Sequence, residues 1–189
     1  MDKRINKKGQ VTLFFLMALV TIFLTLLVII IIGIVSTNIN SALDIDIDLG
    51  QVNLQEYNSL TYGKYNEMVV NNADFWGLSL IIGMVLGLWG GAYFTRGRYP
   101  KLGVLIDIGI IFIAFLISLY LTSVYSSIVT ALSSAGQNFA VEHLTGTNYF
   151  MLNLPIFVAI IGVIMMIIFH SSLPPKPEEL NTNMDVVTG

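Results

Sequence analysis

Residues 11–35 form a stretch of 25 residues without a charged side chain, and no other feature constrains the fold as strongly. Further apolar stretches follow at residues 75–94, 102–121 and 152–169. Each is close to the ~20 residues that an α-helix needs to cross ~30 Å of hydrocarbon. In lipid, every backbone polar group must be paired within the segment, and none of these stretches alternates as a barrel strand would. We therefore predict an all-α integral membrane protein with four transmembrane helices.

The composition agrees with lipid as the solvent. Hydrophobic residues make up 55% of the 189 residues and charged residues 11%, with a mean hydropathy of +0.78. A soluble domain has about 25% charged residues. The absence of cysteine excludes disulfides, thiolate metal ligands and cysteine nucleophiles.

The positive charges predict the orientation of the chain. If it crosses four times, eight of the nine Lys and Arg residues fall on one side, in the basic N-terminus (1–10), the inner link (95–101) and the tail (170–189). Only Lys64 falls on the other side, together with seven of the twelve acidic residues. Because basic residues collect on the cytoplasmic side, both termini are predicted to lie in the cytoplasm or interior.

Two outer segments join the predicted spans. Residues 36–74 are polar and predict a small extramembrane segment between the first two helices, with Asp74 as N-cap of the second. The third helix is predicted to continue to about residue 135, with Gly136 as its C-cap, and to pack against this segment. A second outer loop covers residues 136–151. The tail, residues 170–189, contains three prolines and several acids and is predicted to be disordered.

The N-terminal anchor carries a short motif. Basic residues precede Lys8, Gly9 and Gln10, and the first apolar stretch follows. This arrangement resembles the class III (KGQ-type) signal segments of archaeal type IV pilins and the start of many small archaeal membrane proteins. In pilins, processing follows the glycine and a glutamate stands five residues later, where this chain has Phe14. The resemblance covers about 25 residues, and the other three spans do not belong to a pilin. We therefore expect an uncleaved signal anchor.

The second span contains Gly83, Gly87 and Gly91, spaced four residues apart. This spacing places three positions without a side chain on one helix face, where another helix can approach closely. Two interpretations remain open: packing within this chain against the third or fourth span, and an interface between subunits.

Asp107 is the one ionisable residue well inside a predicted span. Acids at such positions are candidates for function because their burial is costly. Asp107 lies five residues into its helix, where Arg96 or Arg98 could reach it by snorkelling. A structural ion pair at the inner link is favoured over proton or cation handling.

Asp44, Asp46 and Asp48 alternate with apolar residues in the first outer segment. Three carboxylates could bind calcium, but Leu49 occupies the position that an EF-hand loop reserves for glycine. The alternation also fits an amphipathic strand with Leu43 at its start, and this interpretation is favoured. No metal site is therefore predicted.

No catalytic constellation is found in the sequence. His143 and His170, the two histidines, fall on opposite sides of the predicted membrane, and no span pairs a serine with a histidine. There is no glycine-rich phosphate loop and no basic groove for nucleic acid. We predict that the chain is not an enzyme and needs no cofactor.

The favoured function is that of a structural or assembly subunit in a membrane-embedded complex. An archaeal cell membrane and the internal membrane of a virion both suit it. The predicted partners are the lipid bilayer and other membrane, capsid or filament subunits, or copies of the same chain. The alternative is a small oligomeric transporter or channel that uses Asp107, although its span offers only Ser118 and Thr122 as further polar residues.

Overall fold

The computed structural model describes the backbone of residues 8–47, 50, 53–95 and 103–170, and the side chains of residues 14–47, 50, 53–94 and 107–168. The described chain is helical, with the elements α1 (Lys8–Leu43), α2 (Leu54–Leu60), α3 (Tyr62–Thr95), α4 (Gly103–Ser134), α5 (Phe139–His143), α6 (Thr145–Leu152) and α7 (Leu154–His170). No strand occurs among these residues, so the all-α class is confirmed.

Three of the described helices, α1, α3 and α4, are long and apolar enough to cross a membrane. The pair α6 and α7 makes a fourth if it counts as one span bent by 75°. The bend falls at Asn153, where a continuous span was predicted over residues 152–169. Apart from Lys64 and the backbone of Lys8, the basic residues that predict the orientation lie outside the described residues.

The long helices form a bundle in which α1 packs mainly on α3 and α4 mainly on α7, while contacts between α3 and α7 join the two pairs. Its interior is apolar and closely packed, with Leu26, Ile30 and Val158 almost fully buried. Large apolar side chains also cover the outside, including Phe112 and Ile160. Such a surface would aggregate in water and is suited to lipid.

The predicted outer segment, residues 36–74, is mostly a continuation of the long helices. With 36 and 34 residues, α1 and α3 measure about 54 and 51 Å, well beyond a ~30 Å hydrocarbon core. The predicted amphipathic strand is wrong over residues 43–47, because Leu43 ends α1 and residues 44–47 have no regular structure.

α1 continues past the end of its apolar stretch through the polar residues Ser36 and Asn40, because their side chains form hydrogen bonds to other helices. The Ser36 hydroxyl donates to Oδ1 of Asn66 at 2.9 Å, which joins α1 to α3. The side-chain amide of Asn58 donates to Oδ1 of Asn40 at 3.1 Å, which joins α2 to α1. The polar side chains therefore find partners on neighbouring helices and hold the outer ends together.

The end of α4 is a glycine C-cap. Gly136 has φ of +80°, a conformation that favours glycine. The Gly136 and Gln137 amides donate to the carbonyls of Ser133 and Leu132 at 3.0 and 2.8 Å, the two bonds of a Schellman motif. The turn directs the chain into α5, whose Phe139 ring packs on Gly33 of α1.

Candidate functional site

The glycines of the long helices fall into two groups, and the first group forms contacts within the chain. A Cβ atom added to Gly33 would collide with the Phe139 ring, and one added to Gly77 would collide with Thr147. At Gly162 on α7, an added Cβ would lie 2.9 Å from Ile111 of α4. These glycines allow close approach between elements of the same chain.

The glycines singled out in the sequence form the second group. At Gly83, Gly87 and Gly91, and at the adjacent Gly90, an added Cβ would meet no described atom within 4 Å. Gly83 and Gly87 are exposed. Packing within the chain is therefore not seen at Gly83 and Gly87 among the described residues, and the interface between subunits remains a prediction.

Asp107 lies in a small pocket between α1, α4 and α7. Its side chain is only 7% exposed, and the pocket has a volume of about 20 Å³. Phe15, Gly162 and Met165 are among the lining residues. The pocket has room for about one water molecule. The proposed partners of Asp107, Arg96 and Arg98, lie outside the described residues, so the ion pair remains a prediction.

Polar side chains do not continue from Asp107 along the described bundle. The next buried polar residue on α4 is Ser118, about 16 Å away along the helix axis. Its hydroxyl donates to the Phe115 carbonyl of its own helix at 2.7 Å. Among the described residues, no continuous polar path therefore leads from the Asp107 pocket along the bundle.

Of the aspartates at 44, 46 and 48, Asp46 has a local structural role. Asp48 lies outside the described residues. Oδ1 of Asp46 accepts a hydrogen bond from the Asn53 amide at 2.6 Å. Asn53 in turn caps α2, since its own Oδ1 accepts from the backbone of Gln55 at 2.9 Å. Among the described residues, no group of three His, Asp or Glu side chains is placed to hold a metal ion.

A polar junction between α3 and α6 was not predicted. Asp74 lies inside α3, so its predicted role as N-cap of the second span is wrong. Its carboxylate instead accepts hydrogen bonds from the backbone amides of Thr147 at 2.7 Å and Gly146 at 3.0 Å. These amides belong to the first turn of α6, so Asp74 satisfies donors that have no partner within that helix. The negative carboxylate also complements the positive end of the α6 dipole.

Small residues make this junction close enough to form. Gly77 lies against Thr147, which is fully buried, and a Cβ atom added to Gly146 would lie 2.9 Å from Leu78. At the other end of α6, the Thr122 hydroxyl of α4 donates to the Met151 carbonyl at 3.1 Å. α6 is therefore fixed at both ends. Because Asp74 and Thr147 are 73 residues apart, no local sequence signal points to their contact.

Comparison with known proteins adds no further assignment to this geometry. No family model, curated protein or solved structure matches the chain.

Proposed function

We propose that this chain is a non-enzymatic, multi-pass membrane protein that acts as a structural or assembly subunit of a membrane-embedded complex. Its termini lie on the cytoplasmic or interior side. The glycine face of α3, Gly83, Gly87 and Gly91, is the surface on which a neighbouring subunit packs. An archaeal cell membrane or the internal membrane of a virion is the proposed location.

The observation that carries this proposal is the contrast between the two groups of glycines. Gly33, Gly77 and Gly162 each lie against a side chain of the same chain. The space beside Gly83 and Gly87 holds no described atom of the same chain within 4 Å. A glycine inside a helix costs about 1 kcal/mol relative to alanine, so two exposed glycines four residues apart on one helix face, Gly83 and Gly87, favour a compensating contact. In lipid, close approach of a second helix supplies that contact through van der Waals packing.

A pull-down followed by mass spectrometry tests the proposal. The native complex is gently solubilised, captured through this chain and analysed by mass spectrometry. A Gly87→Leu variant would place a large side chain on the glycine face of α3 and should release the bound subunit. Gly109→Leu is the matched control, because Gly109 is also exposed on a long helix and an added Cβ there meets no described atom within 4 Å.

The outcomes separate the alternatives clearly. Loss of a stoichiometric partner with Gly87→Leu, and retention with Gly109→Leu, supports the assembly role. Equal behaviour of both variants would remove the glycine face from the proposal. Recovery of the wild-type chain alone, with no partner and no second copy, would refute the assembly role itself.

A second candidate is a small oligomeric transporter or channel. The observation that favours it is the buried Asp107 carboxylate at its pocket between three helices. The lack of a continuous polar path among the described side chains favours the assembly role. Ion or solute flux into liposomes decides the matter: a flux present with wild-type protein and lost with Asp107→Asn would support transport.

A further inference from the structure

We propose that α6 is an interfacial helix that lies in the outer surface of the membrane and that its exposed face binds the headgroup region of the lipid. In this arrangement the fourth span begins only at Leu154. The inference rests on the membrane placement proposed above but not on the assembly role. Three independent features of the structure support it.

The first feature is the direction of α6. Its axis is bent by 75° from that of α7. If α7 crosses along the membrane normal, α6 lies about 15° from the membrane plane. α7 alone has 17 residues, which reach about 26 Å, close to the ~30 Å thickness of the hydrocarbon. α7 can therefore cross without any contribution from α6.

The second feature is the height along the bundle at which α6 is hydrogen-bonded to α3 and α4. Its first turn binds Asp74 of α3. Its last turn accepts a hydrogen bond from Thr122 of α4. Each attachment lies two residues from an aromatic residue with an exposed ring, Trp76 on α3 (40% exposed) and Tyr120 on α4 (70% exposed). Exposed Trp and Tyr side chains collect at the membrane–water interface, where one end of the ring is apolar and the other is wet.

Distances along the helices agree with this level. From Trp76 to the exposed Tyr93, α3 advances about 26 Å, and from Gly103 to Tyr120, α4 advances about 26 Å. Both distances match the length of α7. A single hydrocarbon layer about 26 Å thick therefore fits α3, α4 and α7, and α6 lies at its outer boundary.

The third feature is the pattern of exposure on α6 itself. Thr145, Tyr149 and Leu152 are exposed and follow one another at helical spacing. Phe150 and Met151 are buried against the bundle, and the Phe150 ring stacks on Phe157 of α7 at 4.6 Å between centroids. The exposed face carries a tyrosine and a leucine without a charge, and Ile156 at the start of α7 is exposed as well. The apolar ring and polar hydroxyl of Tyr149 suit the boundary between headgroups and acyl chains.

The depth of single tryptophans tests the proposal. With Trp76 and Trp89 both replaced by Phe, one tryptophan is introduced either as Tyr149→Trp or as Ile160→Trp. Both sites are exposed, and Ile160 lies about 9 Å below Leu154 along α7. The protein is reconstituted in phosphatidylcholine vesicles brominated either near the headgroup end of the chains or near the bilayer midplane. Leu152→Trp serves as a second probe of the same face if Tyr149→Trp does not fold.

We expect bromines near the headgroups to quench the fluorescence of the tryptophan on α6 more strongly than bromines near the midplane do. For the tryptophan at position 160, we expect the opposite order. No quenching on α6 with deep quenching at 160 would place α6 in water and overturn the proposal. Equal deep quenching at both sites would place α6 within the hydrocarbon as a re-entrant helix and overturn it equally. No quenching at 160 would instead refute the membrane placement on which the proposed function depends.

Discussion

Replacing Asp74 with alanine should destabilise the protein by releasing the first turn of α6. The change leaves the amides of Gly146 and Thr147 without their acceptor. A hydrogen bond to a charged group contributes about 1.5–3 kcal/mol, and loss of a helix N-cap costs about 0.5–2 kcal/mol. Because Asp74 is half-buried and water can replace part of the interaction, we expect a loss of about 2 kcal/mol. For a chain of this length, that corresponds to about 4–8 °C in Tm.

Thermal unfolding in detergent, followed by tryptophan fluorescence, measures this loss, and Trp76 reports from two residues away. Asp74→Asn retains one acceptor oxygen and should cost about half as much, since one of the two amides keeps its hydrogen bond. Glu67→Ala is the control, because Glu67 is exposed on the same helix. If Asp74→Ala unfolds at the same temperature as Glu67→Ala, the carboxylate does not hold α6 and the reasoning is refuted.

Two further substitutions probe the packing of the bundle. Gly33→Leu should destabilise the protein by about 1–3 kcal/mol, because any side chain there collides with the Phe139 ring, whereas Gly109→Leu should leave Tm nearly unchanged. Tyr125→Phe should raise the stability by up to about 1 kcal/mol in urea or SDS titrations, since the Tyr125 hydroxyl is buried and accepts or donates no hydrogen bond among the described residues. A marked loss of stability with Tyr125→Phe would show that the hydroxyl is hydrogen-bonded after all.

The apolar segments were predictable from the sequence because hydrophobic burial and backbone pairing act over consecutive residues. The residues at which the helices end were harder to predict. Hydropathy falls at Ser36, yet α1 continues to Leu43, because Ser36 and Asn40 bond to Asn66 and Asn58 on other elements. The C-cap candidate Gly136 was visible because a Schellman turn depends only on neighbouring residues.

Contacts between distant residues were not predictable. Asp74 is polar and precedes an apolar stretch, which is the local signature of an N-cap, but it caps α6 instead of its own helix. Glycines pose the same difficulty. Gly77 and Gly83 lie on one helix, and nothing in their immediate sequence tells that the first faces Thr147 while the second faces no described atom of the chain. That distinction depends on which neighbouring elements the fold brings to each face.

The depth of the glycine face limits what its partner can be. Gly83 and Gly91 lie about 10 and 22 Å below the level of Trp76 along α3. If Trp76 marks the outer boundary, both are inside the hydrocarbon, so only a membrane helix of a second copy or of another subunit can reach them. A capsid or filament subunit would have to bind the part of α3 before Asp74, since α3 begins about 21 Å above that boundary. If a soluble partner stays bound to the Gly87→Leu variant, assembly takes place through this outer projection. If a membrane partner is released by the same variant, assembly takes place through the glycine face.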